Sequence, residues 1–456
     1  MRRRHFLRAM AGTGAGLLFL PKGPLYGQNA PGNRLNIALI GVWGRALAHY
    51  DTLASENVVA LCDINDNYLA NATKKWPQAK TYTDWRQCLD QPGLDAVVCC
   101  TPDHHHAFVA NWAMNRGLHV YCEKPIGLSV EEVRLVRATY LKHKGKLATQ
   151  HGTQRHAYPN FQRLRELIVD GAIGELRQVS AWDSRKIGRP GYPPAEGEPP
   201  GYLHYEQWLG PSPYHPYNRA YFSSTVAGLN CLQWNMFWDF GAGQVGDMGS
   251  HTMDLVWNAI DASAPLTAEA QGDKLNPEVC PVELKATFEH AANQWRPAIT
   301  VSWYQGGLKP APPKPYVDLN RMGNGAVFEG SKGYIVADFT SRVLIPGDND
   351  GDLTYFKRRS KNDLLAGVGG SEGLSQRTGG ERLFQQEWVD ACKGDKRTSC
   401  DFDYAGTMME QMLLALVAYR VGKKLEYDSG AGRVTNVPEA NEFLSRKYRS
   451  GWSLNG

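Results

Sequence analysis

From residue 33 to residue 150 the chain alternates short apolar runs, rich in β-branched side chains, with longer stretches of helical periodicity. The predicted strands span residues 35–40, 58–62, 95–100, 120–122 and 147–150, and the predicted helices span residues 45–54, 67–75, 108–116 and 130–143. Apolar runs without polar alternation indicate strands that are buried on both faces, as in a parallel sheet with helices on either side. The pattern predicts a doubly wound α/β domain over residues 33–150.

The turn after the first predicted strand is glycine-rich. It matches the G-x-G-x-x-G/A pattern of dinucleotide-binding domains at Gly41 and Ala46, but Trp43 stands at the second glycine position. That glycine normally lets a pyrophosphate approach the backbone, so an indole crowds the approach unless it swings aside. We expect Gly41, Trp43 and Gly44 to contact the dinucleotide. Arg45 and the helix N-terminus are expected to hold its phosphates.

Asp63 ends the second predicted strand, about twenty residues after the glycine-rich turn. A carboxylate at this position accepts hydrogen bonds from ribose hydroxyls and repels a 2′-phosphate. Asp63 therefore favours NAD over NADP as the cofactor. Capping of the next helix is the alternative role for this side chain.

A polar segment that runs from Thr101 to His104 follows the third predicted strand. The carboxyl ends of parallel strands form one crevice, so we expect Thr101, Pro102 and His104 to face the cofactor there. Residues 104–106 are all histidine, but adjacent residues of a helix point about 100° apart and cannot share one ion. No metal site is predicted.

Lys124 follows the apolar strand 120–122, between Glu123 and Pro125. At the carboxyl end of a strand its ammonium projects into the crevice, where it can hydrogen-bond a substrate oxygen. Partial desolvation is expected to lower the pKa of this lysine toward the range useful for proton transfer. A solvated surface lysine is the alternative, and the neighbouring motifs make it the weaker one.

The segment from Gly246 to Ile260 is the second region with chemical potential. On an α-helix Asp247, His251 and Asp254 lie near one face, because they are four and three residues apart. An imidazole held by a carboxylate is a competent general base near neutral pH, so we predict that Asp247 orients His251. A metal site formed by the three side chains is the rival interpretation.

These motifs together resemble those of the Gfo/Idh/MocA oxidoreductase family, which includes glucose-fructose oxidoreductase and inositol dehydrogenase. The matching segments are Thr101-Pro102-Asp103-His104, Gly117-Leu118-His119-Val120-Tyr121-Cys122-Glu123-Lys124-Pro125 and Gly246-Asp247-Met248-Gly249-Ser250-His251. The resemblance implies that Lys124 is the catalytic lysine beside the nicotinamide, with Glu123 also at the cofactor and a cis bond before Pro125. It also implies that Asp247 and His251 are a catalytic pair, and that the substrate is a sugar or a polyol.

Residues 151–456 are predicted to form a substrate-binding domain of the α+β class, with an open and largely antiparallel sheet. Its predicted strands span residues 176–183, 284–289, 298–304, 326–329 and 334–337, and its helices span residues 161–169, 246–260, 383–392 and 405–421. The last two helices are expected to pack back onto the body, and residues 345–380 to form an exposed excursion. Candidate substrate contacts are Gln154, Arg155, Trp238, Asp239 and His251, with hydrogen bonding at the surface or core packing as the alternatives.

Residues 1–28 have the pattern of a twin-arginine export signal, in which Arg3-Arg4-His5-Phe6-Leu7 precedes a short apolar run. The apolar run is too short to span a bilayer, so we expect no stable membrane anchor. An uncleaved anchor is the alternative, because no Ala-x-Ala cleavage site is obvious before Gln28. Twin-arginine export carries folded proteins, which suits a protein that traps its cofactor before export. The sequence thus predicts the twin-arginine machinery as a partner and a periplasmic or other extracytoplasmic location.

The composition excludes some functions. A net charge of +4 leaves no basic stripe for nucleic acid. The nine cysteines form no Cys-x-x-Cys pair and are interpreted as buried thiols. The sequence therefore predicts an exported NAD-dependent oxidoreductase acting on a secondary hydroxyl of a sugar or polyol. An NAD-dependent glycoside hydrolase and a non-catalytic sugar-binding protein are the alternatives. The open sheet, as in the resembling family, predicts a homo-oligomer.

Overall fold

The computed structural model describes residues 33–347, 380–394 and 397–455. The predicted export signal and most of the predicted excursion at 345–380 lie outside the described residues. Within the described ranges, no helix combines the length and the apolar character that crossing a membrane requires. From Leu35 onward the chain forms one compact unit that contains two sheets.

The first sheet has six parallel strands in the order β3-β2-β1-β4-β5-β6. The strands are β1 (Asn36–Ile40), β2 (Asn57–Cys62), β3 (Lys80–Tyr82), β4 (Ala96–Cys99), β5 (His119–Cys122) and β6 (Thr149–His151). This is the strand order of a dinucleotide-binding Rossmann domain, and it confirms the predicted fold class. Only β3 was not predicted, because this short edge strand lacks a buried apolar run.

Helices cover the first sheet: α1 (Tyr50–Leu53), α2 (Asp66–Thr73), α3 (Trp85–Leu89), α4 (Asp103–Asn115) and α5 (Val130–Lys142). The continuous helix predicted over 45–54 is wrong. The structure has a 3₁₀ turn, Gly44–His49, before the single α-helical turn of α1. Trp43 precedes that turn with an extended backbone and gives no side-chain cap, so the first turn lacks the usual helix-start signal.

The second sheet has nine strands in the order β13-β12-β11-β7-β10-β9-β8-β14-β15. The strands are β7 (Leu176–Asp183), β8 (Thr267–Gly272), β9 (Leu284–His290), β10 (Ile299–Gln305), β11 (Asn324–Gly330), β12 (Gly333–Ala337), β13 (Arg342–Pro346), β14 (Leu425–Asp428) and β15 (Arg433–Val434). β7 and β10 are parallel and the other paired strands are antiparallel. The predicted, largely antiparallel sheet is confirmed, while β8, β13, β14 and β15 were not predicted.

The described residues contain five further α-helices: α6 (Pro159–Val169), α7 (Tyr205–Leu209), α8 (Ser250–Ile260), α9 (Gly380–Cys392) and α10 (Phe402–Val421). The helix α10 packs against α5 of the first sheet and against β8 of the second. Its methionines Met408, Met409 and Met412 are fully buried, so this stripe belongs to the core between the two sheets.

All nine cysteines are free thiols, but the predicted burial does not hold for Cys100, Cys231 and Cys392, which are partly exposed. Six of them are buried, and four of these lie in or beside the first sheet at Cys62, Cys88, Cys99 and Cys122. Burial raises the pKa of the Cys62 and Cys122 thiols well above the ordinary value. These cysteines therefore act as small apolar side chains of the core.

Candidate active site

A cavity lies at the carboxyl edge of the first sheet, under the segment between α7 and α8. Its walls include Gly41, Trp43, Asp63, Tyr68, Thr101, Pro102, His105, Trp208, Tyr221, Asn230 and Trp234. The crevice outside the carboxyl ends of parallel strands is the place where doubly wound folds bind dinucleotides. The structure thus brings several of the predicted cofactor residues to one cavity.

Gly41 shows why the first glycine is needed. Its φ angle is +79°, and a β-carbon at this position would lie 2.5 Å from the carbonyl oxygen of Cys100. The Gly41 N–H donates to the Cys62 carbonyl at 2.7 Å, which ties the turn to the end of β2. The tight turn leaves backbone at the cavity wall, and this fits the close approach of a pyrophosphate.

Trp43 does not close the cavity. Its indole stacks on the ring of Tyr68, with 4.6 Å between ring centroids and 15° between planes. Both rings form part of the cavity wall. The indole thus lies against Tyr68 and does not block the cavity, which is the condition that the sequence set for a tryptophan at the second glycine position.

Asn230 is a residue that the sequence did not single out. Its side chain lies on Gly44, where a β-carbon would approach the Asn230 Oδ1 to 2.8 Å. Gly44 has a φ angle of +69°, so glycine is required here both for conformation and for space. The amide of Asn230 is therefore positioned beside the turn that is expected to hold the phosphates.

Arg45 and Glu123 bind each other. The Nε of Arg45 donates to Glu123 Oε1 at 3.0 Å, and Nη1 lies 3.3 Å from Glu381. His49 Nε2 contacts the same Glu123 oxygen at 2.9 Å. Burial disfavours the Glu123 carboxylate, but Arg45 and His49 outweigh this effect and hold its pKa at about 2. Glu123 thus anchors the glycine-rich turn, and the cofactor contacts of Arg45 and Glu123 stay predictions.

Asp63 lies in the cavity wall at the end of β2. Its Oδ2 accepts from the Val42 N–H at 2.8 Å, and its Oδ1 accepts from the Asn65 N–H at 3.0 Å. Burial raises the pKa of Asp63 to about 6, although these backbone hydrogen bonds lower it. The carboxylate is therefore placed where a ribose is expected, and it also orders the glycine-rich turn.

Thr101 and Pro102 line the cavity, but His104 does not. His104 is buried, and its Nε2 lies 2.7 Å from the Trp208 carbonyl oxygen. Its neighbour His105 lines the cavity and accepts a hydrogen bond at Nδ1 from the Trp85 indole, at 3.1 Å. Successive residues of α4 point in different directions, so His105 and not His104 is placed at the cavity wall, and the cofactor role of His104 stays a prediction.

Lys124 meets Asp247 across the junction between the two sheets. The Nζ of Lys124 donates to Asp247 Oδ1, and Arg185 Nη1 donates to Oδ2 of the same carboxylate at 2.8 Å. The peptide bond between Lys124 and Pro125 is cis, as the resemblance implied. Arg185 was not predicted. Arg185 lies two residues after Asp183, at the end of β7. The sequence signal that could have identified it is the polar segment that follows this strand.

The ion pair changes the expected acidity of the lysine. Burial lowers the pKa of Lys124, but the attraction of Asp247 outweighs burial, so the pKa lies above the ordinary value. Burial likewise disfavours the Asp247 carboxylate, yet Lys124 and Arg185 hold its pKa below the ordinary range. The predicted lowering of the Lys124 pKa is therefore wrong, and the lysine is a stable cation and hydrogen-bond donor.

Asp247 does not hold His251. Residues Val245–Gly249 form a π-helical turn before α8, so the four-residue spacing does not have α-helical geometry. The ring of His251 is 4% exposed, and its Nδ1 has no hydrogen-bond partner among the described residues. Burial, with the charges of Arg155 and Lys124, lowers the pKa of His251 well below its ordinary value. The imidazole is thus neutral, and its lowered pKa makes it a weaker base than an ordinary histidine.

Asp254 belongs to a different cluster, so the rival metal set with Asp247 and His251 does not form. Its Oδ1 lies 2.8 Å from His156 Nδ1 and accepts from the Tyr404 hydroxyl at 2.6 Å. His156, Asp254 and Cys400 could approach one ion, but hydrogen bonds already account for the contacts of Asp254 Oδ1. This cluster ties α8 to α10.

Of the other predicted substrate residues, Arg155 is close to the ion pair. Its Nη1 lies 3.8 Å from the sulfur of Met248, which adjoins Asp247. Gln154 is buried and donates to Glu381 at 3.1 Å, while its Oε1 has no partner in the described part of the chain.

Trp238 and Asp239 make contacts elsewhere. The Trp238 indole donates to the Asn276 carbonyl at 3.0 Å. Asp239 Oδ2 accepts from the Tyr192 hydroxyl at 3.0 Å and contacts His215 Nε2 at 2.8 Å. The substrate role predicted for this pair is not supported by these contacts, since both residues order the aromatic segment between β7 and α8.

Two family models match the chain. Residues 35–151 match the oxidoreductase family's NAD-binding Rossmann fold, and residues 180–347 match its C-terminal alpha/beta domain. The chain belongs to the Gfo/Idh/MocA oxidoreductase family. NAD is thus the cofactor that the first domain of this family binds, and the geometry of Gly41 and Asp63 fits it.

Curated relatives of this family member include a Glycosyl hydrolase family 109 protein of Stenotrophomonas maltophilia. It is 34% identical over 146 residues, which are 29% of this chain and 31% of the relative. The D-glucoside 3-dehydrogenase of Escherichia coli is 30% identical over 162 residues, which are 35% of this chain and 46% of the relative. The chain thus spans less than half the length of these relatives.

The fold of this family member is similar to that of a levoglucosan dehydrogenase solved in complex with NADH and levoglucosan. The TM-score is 0.57 at 16% identity, and the match covers 86% of this chain and 99% of that protein. At this identity the likeness shows the fold alone.

Acidification through about pH 6 is expected to weaken NAD binding, because Asp63 is then protonated. The pKa of Asp63 is raised in the folded protein, so the carboxylate form is present above about pH 6 and is lost below it. The carboxylate is the stronger acceptor for ribose hydroxyls. The expected loss of affinity between about pH 7.5 and about pH 5 is about fivefold. Calorimetric titration of NAD into the cofactor-free protein measures it. The variant Asp63→Asn should bind weakly without this pH dependence, and a flat wild-type profile would contradict the assignment.

Proposed function

We propose that this protein is an exported oxidoreductase that transfers hydride between a secondary hydroxyl of a sugar or polyol and a tightly bound NAD. The observation that carries the proposal is the position of the Lys124 ammonium, which Asp247 holds just after β5. The strand β5 pairs with β4, and the residues at the carboxyl end of β4 line the cofactor cavity. Sugar substrates are named in two of the comparisons, the D-glucoside 3-dehydrogenase and the levoglucosan dehydrogenase. The preference for NAD over NADP rests on the carboxylate of Asp63.

The side chains divide the chemistry between a donor and an acceptor. Lys124 is cationic, so it donates a hydrogen bond to the reacting oxygen and stabilises negative charge there. We assign neutral His251 as the acceptor of the hydroxyl proton, because it is an unprotonated imidazole close enough to Lys124 for that charge to lower its pKa. When bound, NAD supplies the redox chemistry by accepting or returning the hydride. Asp247 acts through Lys124, because it positions the ammonium and does not contact His251.

Export is the second part of the proposal. The twin-arginine pattern in residues 1–28 supports transport of the folded protein by the twin-arginine machinery to an extracytoplasmic or periplasmic site. A cofactor taken up before transport has to stay bound, because free dinucleotide is scarce outside the cytoplasm. The aromatic segment with Tyr221, Asn230 and Trp234 covers the cavity, and this supports slow release. Exposed residues alternate with buried ones along β9 of the second sheet, and we propose that this sheet contributes to a homo-oligomer.

A redox-neutral glycoside hydrolase is the second candidate function. The similarity to a Glycosyl hydrolase family 109 protein favours it. Such an enzyme oxidises and then reduces the sugar during one turnover, so reducing sugar is released from a glycoside and no NADH accumulates. A non-catalytic sugar-binding role is less favoured, since Trp43 lies along the cavity wall and leaves the cavity open.

Purified protein is expected to release about one equivalent of NAD(H) on acid denaturation, measured by mass spectrometry and absorbance. Assays with free sugars and with glycosides then separate the two enzymes by whether bound NAD is reduced or reducing sugar is released. The variant Gly41→Ala should be empty, because its β-carbon meets the Cys100 carbonyl. An empty wild-type protein that also fails to bind added NAD or NADP would overturn the enzyme proposal and favour a binding role.

A further inference from the structure

Among the described residues, Arg155 has no carboxylate partner. Its guanidinium lies 4.3 Å from the centroid of the Phe339 ring, and its Nη1 faces the thioether sulfur of Met248 at 3.8 Å. A thioether is a weak hydrogen-bond acceptor, and arginine offers five N–H donors. No ion pair to Arg155 is found within residues 33–347, 380–394 and 397–455. Most of its hydrogen-bonding capacity is therefore unused.

Unlike Arg155, the neighbouring cations Arg45, Lys124 and Arg185 each contact a carboxylate. Arg45 pairs with Glu123 and Glu381, whereas Lys124 and Arg185 share the single carboxylate of Asp247. Lys124, Arg185 and Arg155 are therefore three cations near one carboxylate, that of Asp247. Only Lys124 and Arg185 contact it directly.

Two other acidic side chains, Asp183 and Asp103, lie near these three cations, but neither pairs with Arg155 in the described part of the chain. Asp183 Oδ1 accepts from the backbone N–H of Arg185 at 3.0 Å, and burial raises the pKa of this carboxyl above its ordinary value. Asp103 is buried at the start of α4, and burial raises its pKa well above the ordinary value, which favours the neutral acid. The group around Lys124 thus keeps an excess of positive charge.

The excess charge lies next to the reacting groups. Met248, which Arg155 contacts, adjoins Asp247, and the charge of Arg155 contributes to the lowered pKa of His251. Two further buried polar atoms in the neighbouring turns have no partner in the described ranges, the Oε1 of Gln154 and the Oγ of Ser184. Acceptor and donor atoms of this kind are suited to the hydroxyls of a sugar. A sugar that binds the Gln154 atom lies near Arg155, which follows Gln154 in the chain.

We propose that the substrate is a sugar acid, a uronic or aldonic acid, whose carboxylate is bound by Arg155 while its reacting hydroxyl lies at Lys124. The planar guanidinium matches a carboxylate with two parallel hydrogen bonds. A carboxylate supplies one negative charge to balance this unpaired cation. The inference rests on the proposed oxidoreductase function, since it names the substrate class of the same site.

The test compares each acid with a neutral ligand of the same shape. Calorimetric titration of the NAD-loaded protein uses a panel of hexuronates and hexonates, each paired with its amide, together with sulfate esters of neutral hexoses. At least one acid is expected to bind about tenfold to a hundredfold more tightly than its amide. In Arg155→Gln that preference should fall to about twofold or less, and Arg155→Lys should keep part of it.

The control is Arg177→Gln, which removes an exposed arginine on β7 and should leave every affinity unchanged. The inference is overturned if no acid binds more tightly than its amide, or if Arg155→Gln weakens acid and amide equally. It is also overturned if sulfate esters bind more tightly than every carboxylate, since the anion is then an ester. Reversible thermal unfolding of both variants shows whether a loss of affinity reflects loss of the fold.

The same samples separate this inference from the proposed function. Reduction of the bound NAD is followed by the absorbance of the reduced nicotinamide. If neutral sugars reduce it as well as their acids do, the oxidoreductase stands and the sugar-acid inference fails. If acids bind through Arg155 and neither acids nor neutral sugars reduce the cofactor, binding of the carboxylate by Arg155 stands, while the oxidoreductase proposal and the role of the acid as its substrate fail.

Discussion

Replacing Lys124 with methionine is expected to slow the reduction of bound NAD by about a thousandfold, with the cofactor still bound. Lys124 supplies the cationic hydrogen bond to the reacting oxygen, and general acid and electrostatic groups of this kind contribute about 10²–10⁴ in rate. Methionine keeps much of the length of the side chain and removes only the charge and the donors. Single-turnover measurement with the substrate that reduces the wild-type enzyme gives the rate without product release.

Asp247 keeps one partner in this variant, because Arg185 still donates to its Oδ2 at 2.8 Å. The fold should therefore survive, and the NAD content of the purified variant reports whether the cavity is intact. Lys142→Met, an exposed lysine at the end of α5, is the matched control and should retain the wild-type rate. A Lys124→Met enzyme within about threefold of the wild type would contradict the assigned role.

Replacing Asp247 with asparagine is expected to reduce the free energy of unfolding by about 3 kcal/mol, because it leaves Lys124 and Arg185 without their shared carboxylate. The side chains of Lys124 and Asp247 are only 15% and 7% exposed, so water replaces little of the lost interaction. The same change removes the attraction that raises the pKa of Lys124, and burial then lowers it. Chemical denaturation of the NAD-free proteins measures the difference.

The pH dependence of this difference follows from the direction of each shift. The pKa of Asp247 is lowered in the folded protein, so its contribution is present above the unfolded value and is lost as the pH falls through the folded value. The pKa of Lys124 is raised, so its contribution is present below the unfolded value and is lost as the pH rises through the folded value. The difference between wild type and Asp247→Asn should therefore be constant between about pH 5 and about pH 9.

The matched control for Asp247→Asn is Asp51→Asn. The Asp51 side chain is 84% exposed and approaches Lys75 only to 3.9 Å, so the change should alter the free energy of unfolding by less than about 0.5 kcal/mol. Equal effects of the two substitutions would show that the pairing of Lys124 with Asp247 does not stabilise the fold.

The first sheet could be predicted from the sequence because each central strand is buried on both faces and so appears as a continuous apolar run. For the same reason the residues just after these strands, Gly41, Asp63, Thr101 and Lys124, could be assigned to one edge of the sheet from their positions in the chain. Each of these predictions depends only on a short segment of sequence and needs no information about distant residues. The edge strand β3 escaped prediction because exposure removes the apolar signal.

The pairing of charges was decided only by the tertiary structure. Arg185, just after β7, is 62 residues before Asp247 in the chain, and no local pattern marks the two as partners. The predicted pairing of Asp247 with His251 assumed α-helical geometry, and the π-helical turn Val245–Gly249 removes that geometry.

The sequence by itself determined the parallel sheet, the glycine-rich turn and the position of Lys124, since local periodicity and strand-end chemistry specify them. Only the tertiary structure decided that Lys124 is a stable cation, that Trp43 lies against Tyr68, and that Arg155 has no carboxylate partner among the described residues. Protonation states and charge balance depend on burial and on every charge within a few ångströms, and those charges come from distant parts of the chain.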